Sequence, residues 1–321
     1  MNTKMMDITT IGEILIDLTQ TGTDNRGIPM YTANPGGAPA NVAVAASKLG
    51  ARTAFIGCVG ADSFGLQLRD MLMKNNVSVR GLGVHNKIPT TLAVVSVDHT
   101  GERSFSFYRR LGADVCLAQE HVPHELVVGS RILHFGSVSL TDDPSCTTVM
   151  NAVRQANRLG VLISYDPNYR ASLWPDEDTA IRRMCMPLEF VDVLKISDEE
   201  TELMTGEKDP VKAARLLVRK GVRLVLITLG ARGVYYRYGY ADGIVDGFHV
   251  KVADTNGAGD TFFGAVLSRL SAREGMLNRL TERELREILR FANCAAAMTT
   301  SRSGAIPAMP TMQEVMEMLK R

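Results

Sequence analysis

Asp254-Thr-Asn-Gly-Ala-Gly-Asp260, continued by Thr-Phe-Phe-Gly-Ala-Val-Leu267, is a turn of small residues feeding an apolar helix. Gly257, Ala258 and Gly259 leave successive backbone N–H groups unobstructed at the helix start, where the macrodipole favours an anion. A phosphate fits there. Asp260 follows in the first turn, where a lone acid is ordinarily a cap or a dipole-compatible carboxylate. Beside a bound phosphoryl group such an acid is electrostatically misplaced unless it takes a proton from the attacking hydroxyl. The stretch therefore reads as a kinase site, with preset amides stabilising the charge that develops on the transferring group. The helix dipole is expected to keep Asp260 ionised, as a weak base for a transition state in which the proton moves late.

Outward from this turn, strand-like apolar runs alternate with amphipathic segments. The runs are Ala54–Val59, Arg131–Phe135, Val161–Tyr165, Val191–Ile196 and Leu224–Leu229. Helical patterns cover Ala40–Leu49, Gly65–Asn75, Asp143–Arg158, Asp198–Thr205, Pro210–Lys220, Ala258–Ala272 and Glu282–Thr300. Such alternation predicts an α/β domain with a mainly parallel sheet. Glu13–Tyr31 and Thr90–Tyr108 break the rhythm, alternating apolar with polar residues as half-exposed antiparallel strands do. A small sheet beside the main one is expected, its strands within about 13–35 and 90–112. No linker, repeat or low-complexity tract divides the chain, so one domain spanning 1–321 with an appendage is expected.

Composition removes several functions. At 321 residues, 45% hydrophobic and 22% charged, the chain is globular rather than disordered. Thirty-six basic and 35 acidic residues give a net charge of +1, so no global field holds nucleic acid or an anionic membrane. The polar start Met1–Thr10 and the lack of a long apolar run predict a cytoplasmic protein. The five cysteines are far apart and read as packed thiols, while His121 and His124 lack partners at zinc spacing. None of the ten lysines follows a glycine, which excludes a P-loop. The Rossmann fingerprint and G-x-S-x-G are likewise absent.

A second turn, Asn34-Pro-Gly-Gly-Ala-Pro-Ala-Asn41, also runs into a helix and is followed by Gly57-Cys-Val-Gly60 and Asp62-Ser-Phe-Gly65. Gly-Gly admits close approach of a ligand, and Asn41 offers donor and acceptor to hydroxyls. With both turns in view, the sequence resembles the ribokinase-like, or phosphofructokinase-B, family of sugar kinases. Pro35–Gly65 is similar to its N-terminal signature and Asp254–Leu267 to its C-terminal one.

The resemblance implies ATP-dependent phosphorylation of a sugar's primary hydroxyl on a three-layer α/β/α ribokinase-like fold with a β-sheet lid. It makes Asp260 the catalytic base and Gly257, Ala258 and Gly259 the anion hole. It puts Asp17, Gly36, Gly37 and Asn41 on the sugar, and Asn168, Lys195, Glu200, Thr228, Gly230, Gly233 and Asn293 on the nucleotide side. Ser197 stands where the family's N-x-x-E motif has Asn. ATP and magnesium are implied as cofactors. Potassium is implied through main-chain carbonyls around Asp254, Asn256, Thr299, Arg302 and Gly304.

Asp166-Pro-Asn-Tyr-Arg170 is similar to the fructokinase and ketodeoxygluconate kinase branch, and Glu102–Arg109 with Ala113-Asp114 to the fructokinase lid. Arg109 and Arg170 carry planar guanidinium groups able to grip sugar oxygens. Phe105 and Phe107 fall on the lid at period two, a spacing more often due to sheet packing than to ligand contact, and of the two Phe107 is expected to touch the sugar. Fructose is the expected substrate. Ketodeoxygluconate, ribose, aminoimidazole riboside and a non-catalytic sugar sensor stand as alternatives. A half-exposed lid also presents an apolar face that a second copy could cover, giving a homodimer.

Overall fold

The computed structural model describes residues 4–97, 103–110 and 112–320. Two sheets organise them. Thirteen strands run in chain order as β1 (Met6–Ile11), β2 (Leu15–Thr23), β3 (Pro29–Gly36), β4 (Thr53–Gly60), β5 (Val77–His85), β6 (Leu92–Val97) and β7 (Arg103–Tyr108), then β8 (Ser130–Gly136), β9 (Leu162–Asp166), β10 (Val193–Ser197), β11 (Leu224–Thr228), β12 (Val234–Tyr238) and β13 (Ala241–Val245). Ten helices accompany them: α1 (Ala38–Lys48), α2 (Ser63–Lys74), α3 (His124–Val128), α4 (Ser145–Arg158), α5 (Glu177–Cys185), α6 (Asp198–Thr205), α7 (Pro210–Arg219), α8 (Ala258–Ser271), α9 (Glu282–Thr300) and α10 (Met312–Met318).

The large sheet has the order β13-β12-β11-β10-β9-β8-β1-β4-β5. From β5 to β11 every neighbouring pair is parallel. These strands are apolar on both faces because helices cover both. Thr53–Gly60 is buried at every residue. One face packs against α4, α5 and α7 through Val149, Val153, Met184 and Leu217. The other packs against α1, α8 and α9 through Val42, Phe263, Val266 and Leu289. The antiparallel hairpin β12–β13 at the sheet edge was not expected. Its strand β13 is buried only at Val245, and Tyr240 at its turn is fully exposed, so the apolar run that marks the buried strands is missing.

The second sheet, β3-β2-β6-β7, draws on the two regions set apart by their alternation, although β3 runs on past Tyr31 to Gly36. The expected antiparallel arrangement holds for β2–β3 and β6–β7, but β2 and β6 pair in parallel, with Ile16 opposite Leu92. Two hairpins remote in sequence are joined side by side, and alternation within each cannot reveal that direction. The side chain of Phe105 and the whole of Leu111 lie outside the described residues.

Chain order reverses at β1, which lies between β8 and β4. In open parallel sheets a ligand crevice forms beyond the carboxyl ends of the strands at such a reversal. Helices α1 and α8 converge over it. Their spacing depends on Gly264, where a Cβ would lie 2.7 Å from Ala45 Cβ and 2.9 Å from the Val42 carbonyl oxygen. Any side chain there would force the two helices apart.

Candidate active site

Backbone geometry makes the first turn of α8 available. Gly257 caps the helix in the left-handed region, at φ 73°, and offers no side-chain acceptor to the amides behind it. A Cβ on it would lie 2.8 Å from Ala305 Cβ. A Cβ on Gly259 would lie 3.1 Å from Lys195 Nζ, so the second glycine of the turn admits a buried ammonium beside the start of the helix. The pairing of N–H groups with a fixed positive charge suits a phosphoryl group.

Asp260 is buried at this turn and accepts a hydrogen bond from Asn41 Nδ2 at 2.8 Å. Burial pushes its carboxyl up from the ordinary range, against the opposing hydrogen bond from Asn41 and the charges of Lys195 and Arg170. The dipole-dominated expectation is corrected here, because loss of solvent outweighs the favourable field. Asp260 is the more basic for it.

On one side of Asp260 lies a cavity of about 70 Å³ lined by Glu13, Asp17, Gly37, Asn41, Phe107, Arg170 and others. Asp17 comes from β2 on the lid and Asn41 from α1, so the small sheet and a helix that covers the large one both contribute. Gly36 is required because a Cβ there would collide with the Asp17 carboxylate. Burial raises Asp17 to about 6, with Arg170 lowering it and Asp260 adding to the rise. Asn168 and Asn256, expected on the nucleotide and cation sides, line this cavity as well.

Arg109 does not line it. Its Nε donates to Asp114 at 2.7 Å, its Nη1 to Thr141 Oγ1 at 2.5 Å and its Nη2 to the Val138 carbonyl at 3.0 Å. With the residue only 5% exposed, the guanidinium is committed to the protein. The expected sugar grip is corrected to an anchor for the end of β7. Asp114 also accepts from Thr91, just before β6, and so holds both feet of the lid hairpin.

On the other side lies a cavity of about 380 Å³ whose lining includes Thr228, Gly230, Gly233, Phe248, Phe262 and Asn293. Asn293 donates to the carbonyls of Val245 and Asp246 at 2.9 and 3.0 Å, which fixes the wall rather than leaving the amide free. Ala258 and Gly259 belong to this wall, while Asp260 faces the smaller cavity. Phe248, Phe262, Ala296 and Ala297 gave no local signal in the sequence.

Between the cavities, Lys195 Nζ bonds Asp166 Oδ2 at 2.9 Å. Burial pushes the Asp166 carboxyl up, opposed by Lys195. Its Oδ1 is buried without a hydrogen-bond partner among the described residues. An orphaned carboxylate oxygen beside the phosphoryl pocket fits a hydrated divalent cation. Glu200 is occupied otherwise. Its oxygens accept from the Tyr169 and Ser197 amides at 2.6 and 2.8 Å, and the Glu200 amide in turn donates to Ser197 Oγ at 3.3 Å. Ser197 thus starts α6 as a cap.

The residues expected around a monovalent cation form a junction of two loops. Asp254 accepts from the amides of Asn256 and Gly304 at 2.8 and 3.0 Å, and the Thr300 carbonyl accepts from the Ala253 and Asp254 amides. The Thr299 hydroxyl bonds Thr261, and the Arg302 side chain turns to Glu314 at 2.6 Å. Hard carbonyl oxygens of such loops suit an alkali cation.

Residues 5–312 match the model of the pfkB family carbohydrate kinases. The sequence is 40% identical over 316 residues to fructokinase-2 of Solanum lycopersicum, covering 98% of this chain and 96% of the relative. A crystal structure of fructokinase with bound ATP from Xylella fastidiosa superposes with a TM-score of 0.91 at 32% identity, covering 98% of each chain. A fructokinase double mutant from Vibrio cholerae O395, in a form with fructose, ADP and potassium ion bound, gives 0.88 at 30% identity over 99% of each chain.

Proposed function

The chain belongs to the pfkB family of carbohydrate kinases, and from that membership we propose that it transfers the γ-phosphoryl group of ATP to the primary hydroxyl of fructose, giving fructose 6-phosphate. One observation carries the reading. A single helical turn, residues 257–260, forms part of the wall of both cavities, with Ala258 and Gly259 on the larger and a buried acid on the smaller. The sugar oxygen attacks the γ-phosphorus, its bond to ADP breaks, and the hydroxyl proton passes to Asp260. The amides of the turn and Lys195 stabilise the charge on the moving group.

Asp166, whose Oδ1 is buried without a partner among the described residues, would hold magnesium through its water shell, and the ion would neutralise charge on the phosphate oxygens. Main-chain carbonyls of residues 254–256 and of the stretch from the end of α9 to Gly304 would hold potassium. The whole chain works as one kinase unit in the cytoplasm, and no helix among the described residues is long and apolar enough to cross a membrane. Ile28, Met30, Tyr31 and Tyr108 are exposed on the lid and offer a second copy an apolar face. A solution mass near 35.0 kDa at working concentration would reject that dimer.

The test is ADP release from ATP and magnesium with fructose, ribose, ketodeoxygluconate and aminoimidazole riboside in parallel. Fructose is expected to give the highest kcat/KM. Preference for another sugar overturns the substrate, and no turnover with any of them favours a sugar sensor.

A further inference from the structure

The sugar floor is borne by α1, whose N-terminus has an unusual deficiency. Its cap, Gly37, has no side chain, and no acid stands in the first turn. Such a helix leaves N–H groups that must find an acceptor elsewhere. The acceptor comes from another element. Glu13, in the turn between β1 and β2, takes the Ala38 amide on Oε1 at 3.1 Å and the Ser139 hydroxyl on Oε2 at 3.3 Å. Its backbone is nested as closely: a Cβ on Gly37 would lie 2.6 Å from the Glu13 carbonyl oxygen, and one on Gly12 would lie 2.7 Å from Ser139 Oγ.

We propose that Glu13 is a positioning residue, a cap supplied in trans that fixes the start of α1 and thereby holds Asn41 against Asp260 and Gly37 under the sugar. The chain of contacts is short. Glu13 bonds the first residue of α1, Asn41 lies one turn further on, and Asn41 bonds the base at 2.8 Å. Glu13 also sits where the main sheet hands the chain to the lid, with its side chain 3% exposed and in the wall of the sugar cavity. A helix start free to shift by about 1 Å would move the floor and the orientation of the base together, a displacement worth about 100-fold in rate.

The carboxylate is poised as well as placed. Burial pushes Glu13 up to about 7, with its own and Ala38's amides and Arg109 favouring the anion and Asp114 opposing it. Arg109 and Asp114 are the charged pair at the feet of the lid hairpin, and Ser139 faces Glu13 as a neutral donor. Asp17, Asp260 and Arg170 share the cavity. Since an anion caps a helix better than a neutral acid, the floor firms as Glu13 ionises.

This inference rests on the sugar cavity and the base assigned above, so turnover by the wild type and its loss in Asp260→Asn are measured alongside. An inactive wild type, or an active Asp260→Asn, would reject that assignment and not the cap. The test proper is steady-state kinetics of Glu13→Ala and Glu13→Gln from pH 5.5 to 8.5, varying each substrate, with circular dichroism as a fold check. Glu13→Ala is expected to lose about 100-fold in sugar kcat/KM while its ATP KM stays within about twofold. The amide of Glu13→Gln can still accept from Ala38, so this variant should recover to within about fivefold at pH 8 and lack the wild type's rise near pH 7, keeping only the rise at lower pH that Asp17 gives both proteins. A folded Glu13→Ala with sugar kinetics near wild type overturns the proposal. Should Glu13→Ala not fold, the Glu13→Gln profile decides, and persistence of the rise near pH 7 overturns it.

Discussion

On the sugar side of Asp260 the cavity measures about 70 Å³ and takes its character from ionisable side chains, Glu13, Asp17 and Arg170. On the nucleotide side it measures about 380 Å³ and is walled by glycines, apolar side chains and main chain. The difference follows from the ligands each must hold. A sugar offers only hydroxyls, and discriminating among hydroxyls requires buried groups that are costly to leave unpaired. A nucleotide offers a flat base and a charged phosphate chain, which apolar contact and backbone amides hold, with the buried Lys195 ammonium beside them at the phosphoryl end. Single substitutions should therefore act more severely on the sugar side than on the nucleotide side.

The largest effect belongs to the point where the two sides meet. Asp260→Asn keeps an acceptor for Asn41 but cannot take a proton, so kcat with fructose is expected to fall by about 10³-fold or more, with both substrates still binding. Rapid-quench single turnover checks this, and a loss below tenfold would remove the acid from the chemistry. Wild-type kcat/KM should also fall as pH drops into the raised carboxyl range of Asp260 and Asp17.

Asp17→Asn separates binding from stability. On the proposed sugar site it removes a group that would bind the sugar, so fructose KM is expected to rise by about 50-fold. The sign for folding is opposite. A carboxyl whose pKa rises on folding from 3.8 to about 6 costs stability as pH rises through that window, and the full cost applies above it. The Asn variant should thus be more stable than wild type by about 1–3 kcal/mol at pH 8, and no more stable near pH 3.5. Equal denaturant midpoints at pH 8 would show Asp17 to be better solvated than its surroundings indicate.

The smallest effect is expected from Asn293→Ala. Two carbonyls of the nucleotide wall lose their donor, and ATP KM should rise about fivefold while fructose KM and kcat hold. A larger loss in sugar kinetics would break the division between the two sides.

How far each side could be read from the sequence follows the same division. α6 and α9 end where their patterns end, because acids, Thr281 and Ser197 mark their starts and apolar spacing carries through. The turn at 257–260 was legible because small residues before an acid have few other uses. Arg109 misled, since a guanidinium after a lid strand reads as a ligand contact. The competing signal was Asp114, five residues on, close enough to claim the charge. Glu13 was visible in Gly12-Glu-Ile-Leu-Ile-Asp17, but its partners Ala38 and Ser139 are brought to it only by the fold. Aromatic and alanine residues of the nucleotide wall were indistinguishable from core, because apolar contact leaves the same pattern in both.

A crystal structure of the ternary complex with fructose and a non-hydrolysable ATP analogue tests the central claim most directly. The account predicts the primary hydroxyl oxygen within about 3 Å of an Asp260 carboxylate oxygen, and the terminal phosphoryl on the amides of residues 258–260. A closed complex that leaves Asp260 more than about 5 Å from that hydroxyl, or seats the phosphoryl away from the start of α8, would contradict it.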